Sequence, residues 1–340
     1  VILEVRLRET QPVLPALSID VKDDEGLSIG PAFQFINLRG RGMKLSTAAR
    51  FGGTTTAKFG FENPWYSGNR YPFEFDFHQR DRPNKVDAFQ EISSEVGFRL
   101  GRHLGEAGRA GLMFRFLSLG SDTPGITLSP DNRDNVPTLG LCLGYDSRDL
   151  WSNPRRGWRG EVELARNGRF LGGDGNWWTF NLDVRRYQPL ASRHVLALFS
   201  LNTLQTGEVG REIPVHLDFA VGGTNSIRGW ERASGQGKNQ FISTMEYRWT
   251  FWGPRSWSIR GFNADLGLQL ALFGDAGMAW DGRGNSSGEG FIGGYGFGLR
   301  LLIPFVDVVR IDFAFGQAGT GIHRHIGLGE KAEEQRKRIR

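Results

Sequence analysis

The stretch WTFNLDVR, residues 178–185, puts Trp178, Phe180, Leu182 and Val184 on one side of an extended chain and Thr179, Asn181, Asp183 and Arg185 on the other. A period of two is the period of a strand. The same alternation recurs in FEFDFHQ (73–79), where Phe73, Phe75 and Phe77 interleave with Glu74, Asp76 and His78. It returns in RIDFAF (310–315), where Ile311, Phe313 and Phe315 face away from Arg310 and Asp312.

Working outward from these, about sixteen alternating segments separated by turn residues can be counted. They centre near Ile19, Phe33, Ala48, Phe59, Phe75, Val96, Phe114, Leu141, Val162, Leu182, Leu198, Met245, Leu268, Phe297, Phe313 and Ile326. Connections after even-numbered segments are short, as in NLRGRG (37–42), GRHLGEAG (101–108), QPLASRH (188–194) and PFVD (304–307). Several after odd-numbered segments are long, as in GSDTPGITLSPDNRDN (120–135), the residues around Arg228, and DGRGNSSGEG (281–290). A rim of short turns opposite a rim of long loops predicts an all-β fold, a transmembrane antiparallel β-barrel of about sixteen strands. Both termini then lie on the periplasmic side.

Composition agrees with a barrel wall. The 340 residues include 48 Gly, 25 Phe and 10 Trp, yet mean hydropathy is only −0.37. No apolar run reaches the ~18 residues that a membrane helix requires. Soluble sandwiches and propellers alternate as well, but Trp65, Tyr66, Tyr71, Trp151, Trp158, Trp177, Trp249, Trp252 and Trp257 are expected at segment ends, where interfacial aromatic girdles form. Cys142 is the single cysteine, which excludes an internal disulfide and a cysteine-based metal site. The net charge of +5 is spread along the chain except in the tail EKAEEQRKRIR (330–340), too weak a signal for nucleic acid. VILEVRLRET (1–10) has charges between its apolar residues and reads as a strand rather than a secretory signal.

One loop stands apart. VGGTNSIRGW (221–230) is rich in glycine yet carries Arg228 between Ile227 and Gly229, followed by Trp230. Apolar residues on a loop imply packing, and a loop folded into the lumen would bring a guanidinium that requires inward carboxylates. Parity supplies them. With Met245, Tyr247 and Trp249 facing lipid, Glu246 and Arg248 turn inward, and with Leu266, Leu268, Leu270 and Leu272 facing lipid, Gln269 and Asp275 turn inward.

These residues carry a resemblance. SIRGW (226–230) is similar to the [V/I]-R-G-[F/Y/W] loop motif of the outer-membrane protein-assembly superfamily, also called the surface antigen family. That family includes the assembly subunit BamA, its relative TamA, the two-partner-secretion transporters and organellar counterparts. FGDAG (273–277) resembles its F-x-D-x-G strand motif, which carries over Phe273, Asp275 and Gly277, and Glu246 resembles the inward acid on the strand after the loop. YDSRDLWSNPRRGW (145–158) is similar to the family's turn between the eighth and ninth strands, and NLRGRG and FENPWY (61–66) to its early turns. The resemblance covers essentially the whole chain. It departs at the end, where IHRHIGLGE (322–330) runs into the charged tail instead of finishing on an aromatic residue.

The domain organisation expected on this basis has residues 1–12 as the end of an upstream periplasmic polypeptide-transport-associated domain, 13–330 as the barrel and 331–340 as a tail. The resemblance implies the outer membrane of a Gram-negative-type bacterium. It implies as partners outer-membrane lipid, unfolded outer-membrane or secreted polypeptides, and periplasmic or lipoprotein accessory subunits. No nucleic acid, cofactor, metal or catalytic residue is expected, and the protein is not expected to be an enzyme. His323 and His325 share a strand face but lack a third ligand at suitable spacing and are read as solvated. GEGFIGGYGFG (288–298) lacks the strand–loop–helix context of a phosphate loop.

Two function classes follow. One is assembly, insertion or translocation of polypeptides through a lateral gate between the first and last strands, formed by Ile19, Val21, Ile322, Arg324 and Ile326. The gate is expected because ALSIDVKD (16–23) is short and GTGIHRHIGLG (319–329) is glycine-rich, so the two should pair weakly. The other is a passive barrel, either a pore or the membrane anchor of a soluble domain. A plugging loop favours the first.

Overall fold

A computed structural model describes residues 13–22, 26–67, 71–84, 88–150, 153–231, 234–259, 262–281, 290–303, 306–317 and 321–328. Segments 1–12 and 329–340, on which the upstream-domain and tail expectations fall, lie outside the described residues.

Strands follow in chain order: β1 (Val13–Lys22), β2 (Gly26–Leu38), β3 (Met43–Gly52), β4 (Thr55–Asn63), β5 (Phe73–Asn84), β6 (Phe89–Leu104), β7 (Gly108–Ser121), β8 (Arg133–Asp146), β9 (Gly157–Gly168), β10 (Asn176–Ala191) and β11 (His194–Gln205). Two three-residue strands, β12 (Phe219–Val221) and β13 (Gly235–Gly237), interrupt the series. It resumes with β14 (Asn239–Ile259), β15 (Phe262–Trp280), β16 (Ile292–Ile303), β17 (Val306–Phe315) and β18 (His323–Leu328). Sixteen of these form one sheet in strict sequence order, with β12 and β13 paired separately. Each of the sixteen predicted centres falls in one sheet strand.

The sheet curls into a barrel that brings β1 and β18 within 8 Å of each other, Cα to Cα. All consecutive pairs are antiparallel and hydrogen-bonded, as in the twelve-pair β9–β10 ladder. No such ladder joins β1 to β18 among the described residues.

Burial decides between membrane and water. Facing out and exposed are Leu139, Leu141 and Leu143 on β8, Trp178 and Phe180 on β10, and Met245 on β14. Buried are Glu161, Glu163, Asp183, Arg185, Glu246 and Arg300. A chain that hides its charges and displays its leucines is stable only where the exterior is hydrocarbon. Pairing along the curled sheet leaves open backbone groups only on the seam-facing edges of β1 and β18 among the described residues.

Several expectations need correction. β1 runs ten residues and takes in Pro15, so it is not short; the short partner at the seam is β18, with six. Pro15 is tolerated because β1 is an edge strand that needs a ladder on one side only. Short and long connections do not divide cleanly between rims, since the β3–β4 connection is brief on the long-loop rim and the β8–β9 connection is long on the other. Trp177 faces the lumen, buried against Val136 and Ile213. Trp249 and Trp252 lie within β14, which extends to Ile259, rather than at its end, whereas Trp257 stands two residues from that end. Trp151 lies outside the described residues.

Candidate functional site

The chain between β11 and β14 folds into the barrel. A short 3-10 turn at Val215–Leu217 leads into β12, which pairs with β13 and returns the chain to the wall. Between them the tip closes on itself: the Gly223 N–H donates to the Trp230 carbonyl at 2.9 Å and the Gly222 N–H to Ser226 Oγ at 3.2 Å. Gly229 has φ +87°, and a Cβ there would meet the Phe315 carbonyl at 2.5 Å, so conformation and clearance both demand glycine.

Two kinds of surface hold this plug. The first is apolar: Val221 and Ile227 pack with Leu201, Ile242, Ala279 and Ile292, lumen-facing residues of β11, β14, β15 and β16, with Trp230 against the same cluster. Trp230 Nε1 donates to the Gly293 carbonyl at 2.7 Å. The second surface is charged. Arg228 is fully buried; its Nε and Nη2 donate to Asp275 Oδ2 and Oδ1 at 2.8 and 3.0 Å, and its own backbone N–H reaches Oδ2 at 3.1 Å. Nη1 reaches Glu246 Oε2 at 3.3 Å and Asp312 Oδ2 at 3.0 Å. The guanidinium carbon lies 3.3 Å from the centroid of the Phe273 ring. A planar fork serves three carboxylates and a ring face at once, which a lysine could not do.

The carboxylates are shared. Glu246 also accepts from Arg248 Nε at 2.8 Å and Arg300 Nη2 at 2.9 Å, and Asp312 from Arg300 Nη1 at 2.5 Å. Arg310 bonds Asp312 at 3.5 Å and Asn225 of the loop at 3.1 Å. Thr244 Oγ1 donates to Asp275 at 2.9 Å. Four arginines face three carboxylates here, so no carboxylate is left without a cation, as burial requires.

Parity explains why these groups meet. β14 and β15 pair Thr244 with Asp275 and Glu246 with Phe273. β16 and β17 pair Gly298 with Asp312 and Arg300 with Arg310, and β17 and β18 pair Asp312 with His325. Space is made by omission. A Cβ on Gly294 would collide with the Arg228 carbonyl, and one on Gly298 with the Asp312 carboxylate. At Gly277 an added Cβ would collide with the Phe241 carbonyl of the neighbouring strand and would also crowd Ile227 Cδ1 of the loop at 3.1 Å.

Ile227, Arg228, Gly229 and Trp230 are thus brought together with Glu246, Phe273, Asp275 and Gly277. Three contributors escaped the sequence reading. Asp312 and Arg300 have inward parity, but their meeting with Arg228 depends on the register between distant strands. His325 was misjudged: it is buried, not solvated. Its Nε2 accepts the Gly229 N–H at 3.2 Å, so the neutral ring carries its proton on Nδ1 and donates to Thr224 Oγ1 at 3.1 Å. His323 stacks on it with ring centroids 6.1 Å apart. No group of three metal-ligating side chains occurs among the described residues.

The seam residues are placed more simply. Ile322 and Ile326 are exposed, with Arg324 between them on the same outward parity. Ile19 and Val21 pair with Ile29 and Leu27 of β2; their side chains lie outside the described residues. Gly327 is less idle than expected, because a Cβ there would press on Arg310 and on Thr224 of the loop.

Residues 37–331 match the Omp85 superfamily domain. Over 155 residues the chain is 31% identical to outer envelope protein 80, chloroplastic, of Arabidopsis thaliana, an alignment covering 45% of this chain and 20% of that protein. The structure is similar to BamA of Haemophilus ducreyi lacking POTRA domains 1–3, with TM-score 0.71, 15% identity, and 95% and 70% of the two chains covered. It is also similar to CdiB of Escherichia coli, with TM-score 0.64, 13% identity, and 95% and 62% covered. The chain therefore spans about a fifth of the length of the chloroplast relative.

Proposed function

This chain belongs to the Omp85 superfamily, an outer-membrane barrel, and from that premise we propose that it inserts or translocates polypeptides through the seam between β1 and β18. The observation that carries the reading is the seam: β1 and β18 lie side by side, yet no ladder joins them among the described residues. Unpaired backbone groups on an edge strand are a template for another strand, so an incoming β-segment can add to β1 by augmentation. β18 resists little, since it pairs with β17 over only six positions. Ile322, Arg324 and Ile326 form the lipid side of the gate, with Ile19 and Val21 opposite. The substrates are unfolded outer-membrane or secreted chains, and periplasmic modules or lipoprotein subunits deliver them.

The competing reading is a passive pore or the anchor of a soluble domain. The plug argues against a simple pore, because the loop carrying Ile227 and Arg228 is buried inside the barrel against β14, β15 and β17. Reconstitution separates the two. Purified protein in phospholipid vesicles is expected to accelerate insertion of a urea-denatured β-barrel polypeptide, read by protease protection, with little solute-driven swelling. Swelling without faster insertion would favour the pore, and neither effect would favour the anchor.

A further inference from the structure

The outward face of the β9–β10 pair carries two arginine–tryptophan pairs in register, Arg186 with Trp158 and Arg166 with Trp178. They lie eight positions apart along β10, about 26 Å along a strand, or roughly 20 Å of depth at the usual tilt of about 40°. Val162, Leu164, Phe180, Leu182 and Val184 fill the interval. The two pairs therefore bracket the hydrocarbon layer.

Their surroundings differ. Arg166 is buried, its guanidinium 5.5 Å from the Trp178 ring and 6.0 Å from Phe170, with Asn176 Oδ1 accepting from it. It is covered from within the chain. Arg186, at the short-turn rim, sits 4.8 Å over the exposed Trp158 ring and, among the described residues, donates to Gln188 Oε1 at 2.5 Å. Among the described residues no carboxylate pairs with its guanidinium, nor with those of Arg155, Arg156 or Arg193 on the adjoining turns. The Arg155 guanidinium donates to the Ser192 carbonyl, which ties the β8–β9 turn to the β10–β11 turn.

The two acids at this corner are already engaged: Asp146 is held by Arg148, and Asp149 Oδ1 accepts the N–H groups of Leu150, Arg155 and Arg156. Arg148, Arg155, Arg156, Arg186 and Arg193 against Asp146 and Asp149 leave an excess of three positive charges. Trp158 and Leu190 are both exposed beside them. A lipid-facing guanidinium without a counter-ion, lying on an interfacial indole, is completed by an anion at headgroup depth.

We propose that Arg186 and Trp158, with Arg155 and Arg193 on the neighbouring turns, bind the phosphate of an anionic phospholipid in the leaflet at the short-turn rim. A soluble partner could reach the turn arginines, but Arg186 shares its face of β10 with Leu182 and Val184, and that face belongs to lipid. The site fixes the depth and rotation of the barrel beside β9–β11, independently of whether the barrel handles clients.

Native mass spectrometry of the detergent-solubilised protein, titrated with phosphatidylglycerol or phosphatidylcholine, tests this. The wild type is expected to retain phosphatidylglycerol preferentially. Arg155→Gln/Arg186→Gln should lower that retention about fivefold per arginine removed, while Arg211→Gln on the opposite rim changes nothing. Heat-modifiable gel mobility confirms folding, and Arg193→Gln, on an exposed turn, repeats the test if the double variant does not fold. No preference in the wild type, or an unchanged preference in the variants, overturns the proposal. So does displacement of the lipid by an equal concentration of water-soluble glycerophosphoglycerol, which would make the site a general anion site.

Discussion

The Gly229 N–H of the plug donates to Nε2 of His325 on the last strand at 3.2 Å, so the element that fills the lumen and the strand that borders the seam share a hydrogen bond. Gln317, just after β17 on the way to that strand, adds to it, its N–H donating to the Gly229 carbonyl at 2.8 Å. Plug and seam are thereby one mechanical unit: moving β18 outward means breaking these bonds or drawing the loop along.

Replacing His325 by leucine leaves the Gly229 N–H buried without its acceptor, at a cost of about 1–3 kcal/mol. The loop tip should then open more often. With Cys142 replaced by serine, a cysteine at Ser226, which is buried, should react faster with a membrane-impermeant maleimide in the His325→Leu protein. His325→Gln, which keeps an acceptor, should restore part of the protection. Equal labelling in all three proteins would show that the bond does not restrain the plug.

Arg228→Ala strips a cation from Asp275, Glu246 and Asp312 together. Breaking a buried pair typically costs about 3–5 kcal/mol, and the loss should appear as a lower temperature for the heat-modifiable mobility shift. Arg228→Lys should recover little of it, because one ammonium cannot make the two-pronged contact with Asp275. Full rescue by lysine would mean that charge alone, not fork geometry, holds the plug.

Gly294 leaves room for the Arg228 carbonyl. Gly294→Val should expel the tip while keeping the wall, since valine suits a strand. In planar bilayers the variant is expected to conduct more than the wild type; unchanged conductance with a normal mobility shift would mean that the tip tolerates the added atoms.

The wall was legible in the sequence because period-two alternation and turn residues are local signals. Glu246 and Asp275 were legible for the same reason, as parity on strands of known phase decides which way a side chain points. What stayed hidden depends on register between distant strands. Asp312 had inward parity, but nothing local tells that β17 brings it to within 3.0 Å of Arg228. His325 reads as a hydrated histidine until the loop is laid against it. Trp177 shows the opposite failure: an aromatic residue at a strand start reads as a girdle residue, yet its phase turns it into the lumen.

The turn after β8 offers a pH test away from the membrane layer. Burial raises the Asp149 carboxyl, but the N–H groups of Arg155, Arg156 and Leu150 outweigh it and hold the group below the ordinary carboxylate range. A depressed folded value gives a contribution that is complete above the unfolded pKa of about 3.9 and is lost as pH falls through the lower folded value. Wild type should therefore exceed Asp149→Ala in thermal stability at neutral pH, with the difference closing only on strong acidification. A difference independent of pH would assign the effect to packing.

The gate is tested most directly by locking the seam. In a Cys142→Ser background, a cysteine at Ile19 combined in turn with cysteines at Ile322, Arg324 and Ile326 identifies a pair that oxidises across β1 and β18. The locked barrel is expected to lose client insertion in vesicles and to regain it when a reductant cleaves the bond, with the mobility shift unchanged throughout. Full insertion activity in the locked barrel would contradict a lateral gate between these strands.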